Sequence, residues 1–281
     1  MYIYPDLQKD CCELCRRGAE CGSIGRSLFG SHIICFHIGP KSGPQIIVQG
    51  GIHAREWVTA RLVTAQAKTL LREKTPTGIY FLPMTNPDGA LLAQKGAARF
   101  PNAARLERIN GGGDFSLWKA NARGVDLNCN FDARWGKGAG NRTDPAPSSC
   151  IGPSPESEPE SAALARFTRR VRPVLTVSYH ALGREIYYEF GQRGEALERD
   201  RAVARAAGRF LGYRVVGGDL GSAGGYKDWC VSRLGITALT VEIISERRSH
   251  PLTERDLEGE EKNIWLPLLL AELCEKNGGS G

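Results

Sequence analysis

The chain has 281 residues, 41% hydrophobic and 24% charged, with a formal net charge of +6; that is enough to bury a full core as one large α/β domain without staples. The basic excess is mild and spread out, lacking the clustered Lys/Arg and interleaved aromatics of a nucleic-acid surface. No apolar run approaches the roughly 20 residues of a membrane-spanning helix, and residues 1–6 lack the basic start and apolar stretch of a signal peptide.

Residues 6–21 place Leu7, Cys11, Leu14 and Cys15 on one stripe and predict an amphipathic helix. Cys11, Cys12, Cys15 and Cys21 resemble half of a metal knot, but no second Cys/His pair follows at finger spacing. The nine cysteines are therefore read as free thiols of a reducing cytoplasm. Residues 22–30 begin a hairpin whose next strand is 32–36. A buried strand, 45–49, then leads into Gly50-Gly51-Ile52-His53-Ala54-Arg55-Glu56-Trp57. The two glycines allow a tight turn. An imidazole and a carboxylate three positions apart, on a turn at a strand end, can hold one metal ion if a third ligand comes from elsewhere.

A helix is predicted over 57–73 and a strand over 78–83. Asn86-Pro87-Asp88-Gly89 reads as a turn and 91–104 as a helix. Residues 118–130 carry a short strand or turn, and 132–157 form a loop long enough to be functional. Pro159 opens a helix to about Arg170. Strands follow at 174–180, ending in His180, and at 186–190. Then come a helix over 194–210, a glycine-rich loop over 217–225, a strand over 236–243 carrying Glu242, and a helix over 257–275. The alternation predicts an α/β fold: a central mixed, largely parallel sheet with helices on both faces. It forms a single domain over 1–276, with a flexible tail at 277–281. Functional loops of such a sheet sit at the carboxyl ends of its strands, where His53 and His180 fall.

The order of these motifs resembles the carboxypeptidase A-like zinc peptidases, or funnelins, over roughly residues 4–272. The resemblance implies one Zn²⁺ per chain, held by His53, Glu56 and His180, with Glu242 as catalytic general base. It implies a substrate-binding segment at Gly124-Val125-Asp126-Leu127-Asn128 and a substrate contact from Arg55. A cation must steady the oxyanion; Lys119 stands in the most similar place and Arg123 competes for the role. Residues 152–160 are similar to the loop-to-helix entry of bacterial members.

Three departures set expectations. Asn128 is followed by Cys129 where carboxypeptidases carry an arginine that clamps the terminal carboxylate, and cysteine cannot make a bidentate clamp. The tyrosine that closes over substrate is missing: Leu220 stands near its place, and Tyr226 is offset. Lys227 sits where the family lines its specificity pocket. Without an internal partner, Asp228 or Asp219, it needs a counter-charge from substrate. The stretches around Cys129 and His180 resemble a bacterial branch, the γ-D-glutamyl-meso-diaminopimelate peptidases, implying a cell-wall-derived peptide substrate. The alternatives are a metallocarboxypeptidase preferring acidic C-terminal residues and a family member that binds peptide without cutting it.

Overall fold

The apolar runs around Val48, Phe81, Val177 and Leu239 become the middle of one eight-stranded sheet. The computed structural model describes residues 1–218 and 221–278, so Asp219, Leu220 and residues 279–281 of the expected tail lie outside the described residues. In chain order the elements are α1 (Tyr4–Arg16), β1 (Glu20–Arg26), β2 (His32–Ile38), β3 (Gln45–Gln49), α2 (Trp57–Leu70), β4 (Gly78–Leu82), α3 (Pro87–Lys95) and α4 (Ala103–Asn110). Then follow α5 (Pro159–Val171), β5 (Leu175–Ala181), β6 (Glu185–Tyr187), α6 (Gly194–Leu211), β7 (Arg214–Val216), α7 (Tyr226–Leu234), β8 (Thr237–Ile243) and α8 (Lys262–Gly278). The strand order is β1-β2-β4-β3-β5-β8-β6-β7. The inner strands β4, β3, β5 and β8 run parallel; β1–β2, β2–β4 and β6–β8 pair antiparallel. None of the described helices is long and apolar enough to cross a membrane.

Helices on both faces bury the sheet, and the two-residue period of each strand divides its side chains between two cores. Ile46 and Val48 of β3 join a core with Val58 and Leu62 of α2 and Leu266 and Leu270 of α8. Ile47 joins another with Phe167 of α5 and Trp229 of α7. Each such buried aliphatic side chain contributes roughly 1.5–3 kcal/mol. The same alternation sorts β5 and β8. Leu175, Val177 and Tyr179, with Leu239, Val241 and Ile243, face the α2/α8 core. That leaves Ser178, His180, Thr240 and Glu242 on the other side, where the site is built.

Several elements differ from the sequence expectation. Asn86-Pro87-Asp88-Gly89 is a helix start: the Asn86 side chain accepts from the Gly89 N–H at 3.0 Å, and Pro87 occupies the first turn. The helix expected over 91–104 is split at Gly96, whose φ of +74° ends α3. Of the strand or turn expected over 118–130 the turn is found, including a short 3₁₀ turn at Leu127–Cys129. The first helix stops at Arg16, because Gly18 at φ +98° returns the chain into β1. β7 and α7 were not anticipated. The last helix begins at Lys262 rather than 257 and runs to Gly278, into the expected tail.

Candidate active site

The turn after β3 is built by two glycines and a threonine. A side chain on Gly50 would meet the Thr59 carbonyl oxygen at 2.9 Å, and Gly51 has a φ of +60°. The Gly51 N–H donates to Thr59 Oγ1 at 2.8 Å, and that hydroxyl donates to the Glu56 carbonyl at 2.8 Å. His53 therefore ends an extended stretch and Glu56 a 3₁₀ turn, so both side chains reach the same point.

His180, the penultimate residue of β5, completes that point. His53 Nδ1 lies 2.9 Å from Glu56 Oε1 and 3.0 Å from His180 Nδ1, and His180 Nδ1 is 3.2 Å from Glu56 Oε2. All three side chains are buried. Burial works against the Glu56 carboxylate, but the two imidazoles outweigh it and hold its pKa well below the usual range. Behind His53, Asp126 Oδ1 lies 3.4 Å from Nε2. Asp126 is fully buried, yet Lys119, 3.6 Å from Oδ2, and His53 keep it ionised. The Ser149 N–H donates to the same carboxylate at 3.0 Å. Burial disfavours the Lys119 ammonium; Asp126 and then Glu56 more than compensate and raise its pKa. The Lys119 carbonyl accepts from the Ala54 N–H at 3.0 Å, which ties this segment to the first motif.

Glu242 stands opposite His180 in the β5–β8 register. Burial, and then the Glu56 charge, push its carboxyl up to about 7 against the pull of His180, Lys119 and Arg55. A carboxyl balanced between its two forms beside such a cluster can accept and return a proton near neutral pH.

The sequence profile of the zinc carboxypeptidases, peptidase M14, matches residues 8–266. The chain belongs to this family. Among its relatives, the gamma-D-glutamyl-L-diamino acid endopeptidase 1 of Lysinibacillus sphaericus is 30% identical over 83% of this chain and 62% of its own length. Carboxypeptidase A2 of Mus musculus is 29% identical over 58% of this chain and 40% of its own length. The chain thus spans less than two thirds of these relatives. Bovine thrombin-activatable fibrinolysis inhibitor, solved with a tick carboxypeptidase inhibitor, shares the fold at a TM-score of 0.81, with 20% identity over 98% of both chains.

The metal of a zinc carboxypeptidase is a single Zn²⁺, and this donor set fits it. Zinc–ligand distances of about 2.0–2.2 Å place neighbouring ligand atoms roughly 3.3 Å apart, close to the separations found among His53, Glu56 and His180. Asp126 at His53 Nε2 favours the tautomer whose Nδ1 lone pair is free for metal.

Beside this zinc carboxypeptidase centre lies a pocket of about 270 Å³ lined by Asn128, Arg134, Glu189, Phe190, Lys227 and Thr240. The Lys227 ammonium is 2.5 Å from Asp228 Oδ1 and donates to the Glu189 carbonyl at 2.8 Å. Of the internal partners expected for Lys227, Asp228, one position later on the first turn of α7, is the one that supplies a counter-charge. Arg134 and Lys227 both approach the Phe190 ring, at 4.7 and 5.6 Å from its centroid. Asn128 lines the pocket, and its Oδ1 accepts from the Tyr226 N–H at 3.0 Å.

Two other expected substrate residues point away. Tyr226 is fully buried, its hydroxyl 2.8 Å from Thr168 Oγ1 and its ring packed against Phe131 and Trp229. Its backbone, not its ring, serves the pocket. Arg123 is drawn toward Glu158 at 3.5 Å, so of the two oxyanion candidates Lys119 alone is paired to the metal corner through Asp126. Cys129 has its thiol pKa raised by burial and carries no charge; its backbone packs against Gly224, where φ is +78°. Arg55 lines an adjoining hollow with Trp57 and Leu252.

Sequence reasoning missed three residues. Asp126 stands inside the expected substrate-binding segment, and a carboxylate two residues before Asn128 is its own signal. Arg134 stands five residues after Cys129, in a loop with no periodicity. His250, whose Nε2 is 3.4 Å from the Ala181 carbonyl oxygen, is brought to the corner by the chain beyond β8, and nothing local marks it.

Proposed function

We propose that the chain hydrolyses the γ-D-glutamyl–diaminopimelate type of bond in peptidoglycan stem peptides. The observation that carries this reading is the charge pattern of the pocket beside the metal corner: two cations, Arg134 and Lys227, and two anions, Asp228 and Glu189. The end of a diaminopimelate side chain carries both a carboxylate and an ammonium, and a pocket offering both signs matches it. The relative that acts on γ-D-glutamyl-L-diamino acids supports the same class. A metallocarboxypeptidase selecting acidic C-terminal residues is the second reading, on the strength of the family; the Lys227–Asp228 pairing counts against it, because it removes the excess positive charge.

Bound zinc supplies Lewis acidity toward the scissile carbonyl and the attacking water. Glu242 takes the proton of the attacking water and returns it to the leaving amine. Lys119, held charged by Asp126, steadies the oxyanion of the tetrahedral intermediate. Asn128 and the pocket hold the residue to be released.

The test is to incubate zinc-loaded protein with a diaminopimelate stem tetrapeptide, its lysine analogue and ordinary peptides ending in Glu, and to read products by mass spectrometry. Release of the diaminopimelate-bearing fragment, with the lysine analogue slower by tenfold or more, is expected. Faster removal of C-terminal Glu would favour the second reading.

A further inference from the structure

Among the described residues a second cluster of metal-ligating atoms lies at the far edge of the sheet. Cys11 and Cys15 are four positions apart on α1, so they share one helix face. Gly18 turns the chain back at φ +98°, and β1 returns beside the helix with Cys21 as its second residue. The three sulfur atoms lie within 4.8 Å of one another. The Cys21 thiol is 3.5 Å from the Cys11 carbonyl oxygen. These thiols border an open hollow that His32, on the paired strand β2, also lines. In the sheet order β1 is four strands from β5, the carrier of His180, so this cluster is separate from the catalytic corner.

We propose that Cys11, Cys15 and Cys21 form a second, structural site for a thiophilic divalent ion, zinc in the first instance, with water in the fourth position. Zn–S bonds of about 2.3 Å set tetrahedral sulfurs roughly 3.8 Å apart, within a small side-chain adjustment of the observed spacing. Three thiolates crowded together repel one another, and a divalent cation removes that repulsion while each thiol gives up its proton. The ion ties the first helix to the edge strand of the sheet. Set apart from the catalytic corner in the sheet order, the ion has no role in turnover.

Cobalt separates the two sites, because thiolate-to-cobalt charge-transfer absorption in the near ultraviolet arises from sulfur ligands and not from a His–Glu–His set. The His180→Ala chain, reduced and purified in excess zinc, should retain one zinc and show that band when cobalt is substituted. Adding Cys15→Ser or Cys21→Ser to it should abolish both. On the otherwise unaltered chain, Cys15→Ser should lower the zinc content from two to one while peptidase activity stays within twofold. Cys15 is exposed, so its serine variant folds independently of the metal question; the Tm rise produced by zinc in His180→Ala should vanish when Cys15→Ser is added. One zinc in the reduced parent chain and none in His180→Ala would overturn the proposal. So would a disulfide among these three cysteines that persists after reduction and zinc loading, found by peptide mapping.

Discussion

The metal corner and the pocket beside it use charge in opposite ways. In the corner, two imidazoles and the carboxylate of Glu56 converge on one small volume, with Asp126 behind and Glu242 alongside. Negative groups outnumber the one nearby ammonium, and the arrangement is complete only with a cation at its centre. In the pocket, by contrast, the charge is already balanced: Lys227 meets Asp228 at 2.5 Å, and Arg134 and Glu189 line the same space. The corner selects for any ion of the right size and donor preference. The pocket cannot attract by net charge and must select by pattern.

The largest effects should come from breaking the corner. His180→Ala should lose the zinc held there and drive activity to background; metal analysis and a peptide assay check it, and undiminished zinc binding at His53 and Glu56 would contradict the ligand assignment. Next, Glu242→Gln should keep that zinc and the fold but lower kcat by roughly 10²-fold or more, the scale of a lost general base. A kcat within threefold of the parent would assign Glu242 a structural role.

Breaking the pocket should cost less in rate and more in selectivity. Lys227→Met alone leaves Asp228 buried without its partner, a loss on the order of 3–5 kcal/mol in stability. The double variant Lys227→Met/Asp228→Asn removes both charges. It should recover most of the Tm, yet lower the kcat/KM preference for diaminopimelate over lysine peptides by roughly tenfold or more, the worth of a charged hydrogen bond. If that preference survives in the double variant, the pair is scaffold only.

The smallest effect probes a carboxyl belonging to neither region. Glu160, in the first turn of α5, is fully buried and accepts from the Leu28 N–H at 2.9 Å; burial raises its pKa to about 7. Between the ordinary glutamate value near 4.5 and about 7, the folded chain binds more proton than the unfolded chain. Stability from this group is therefore present at low pH and lost as pH rises through that window. Glu160→Gln should flatten the decline in stability between pH 5 and 8 by about 1–3 kcal/mol, measured by denaturant unfolding. Parallel pH profiles for the two proteins would show that Glu160 ionises without penalty.

This contrast also explains what the sequence disclosed. The parallel middle of the sheet was legible because β3, β4, β5 and β8 are buried on both faces and read as apolar runs. The ligands were legible because His53 and Glu56 share one turn and His180 ends such a run. The pocket was legible only in part: Asn128 and Lys227 stood among the expected substrate residues, while Arg134, Glu189 and Phe190 come from stretches that only tertiary packing brings beside them. For Lys227 the sequence left the partner open between Asp228 and Asp219, and the helical first turn of α7 is what brings Asp228 to it. Tyr226 failed because an aromatic beside a glycine loop looks exposed in sequence, whereas Phe131 and Trp229 enclose it.

His180 and Glu242 occupy matched positions on adjacent parallel strands. Their separation is therefore a length of the β-sheet itself, near the ~4.8 Å gap between hydrogen-bonded strands, and not a length of any loop. The chemistry carries its own ruler. Insertions in the residue 132–157 loop or in the stretch before α7 can reshape what is recognised without changing how far Glu242 stands from His180. A one-residue slip of β8 would do the reverse: every recognition loop would remain, while Glu242 turned to the opposite face among Val241's neighbours. Recognition in this architecture is free to drift among descendants, and the reacting distance is inherited with the sheet.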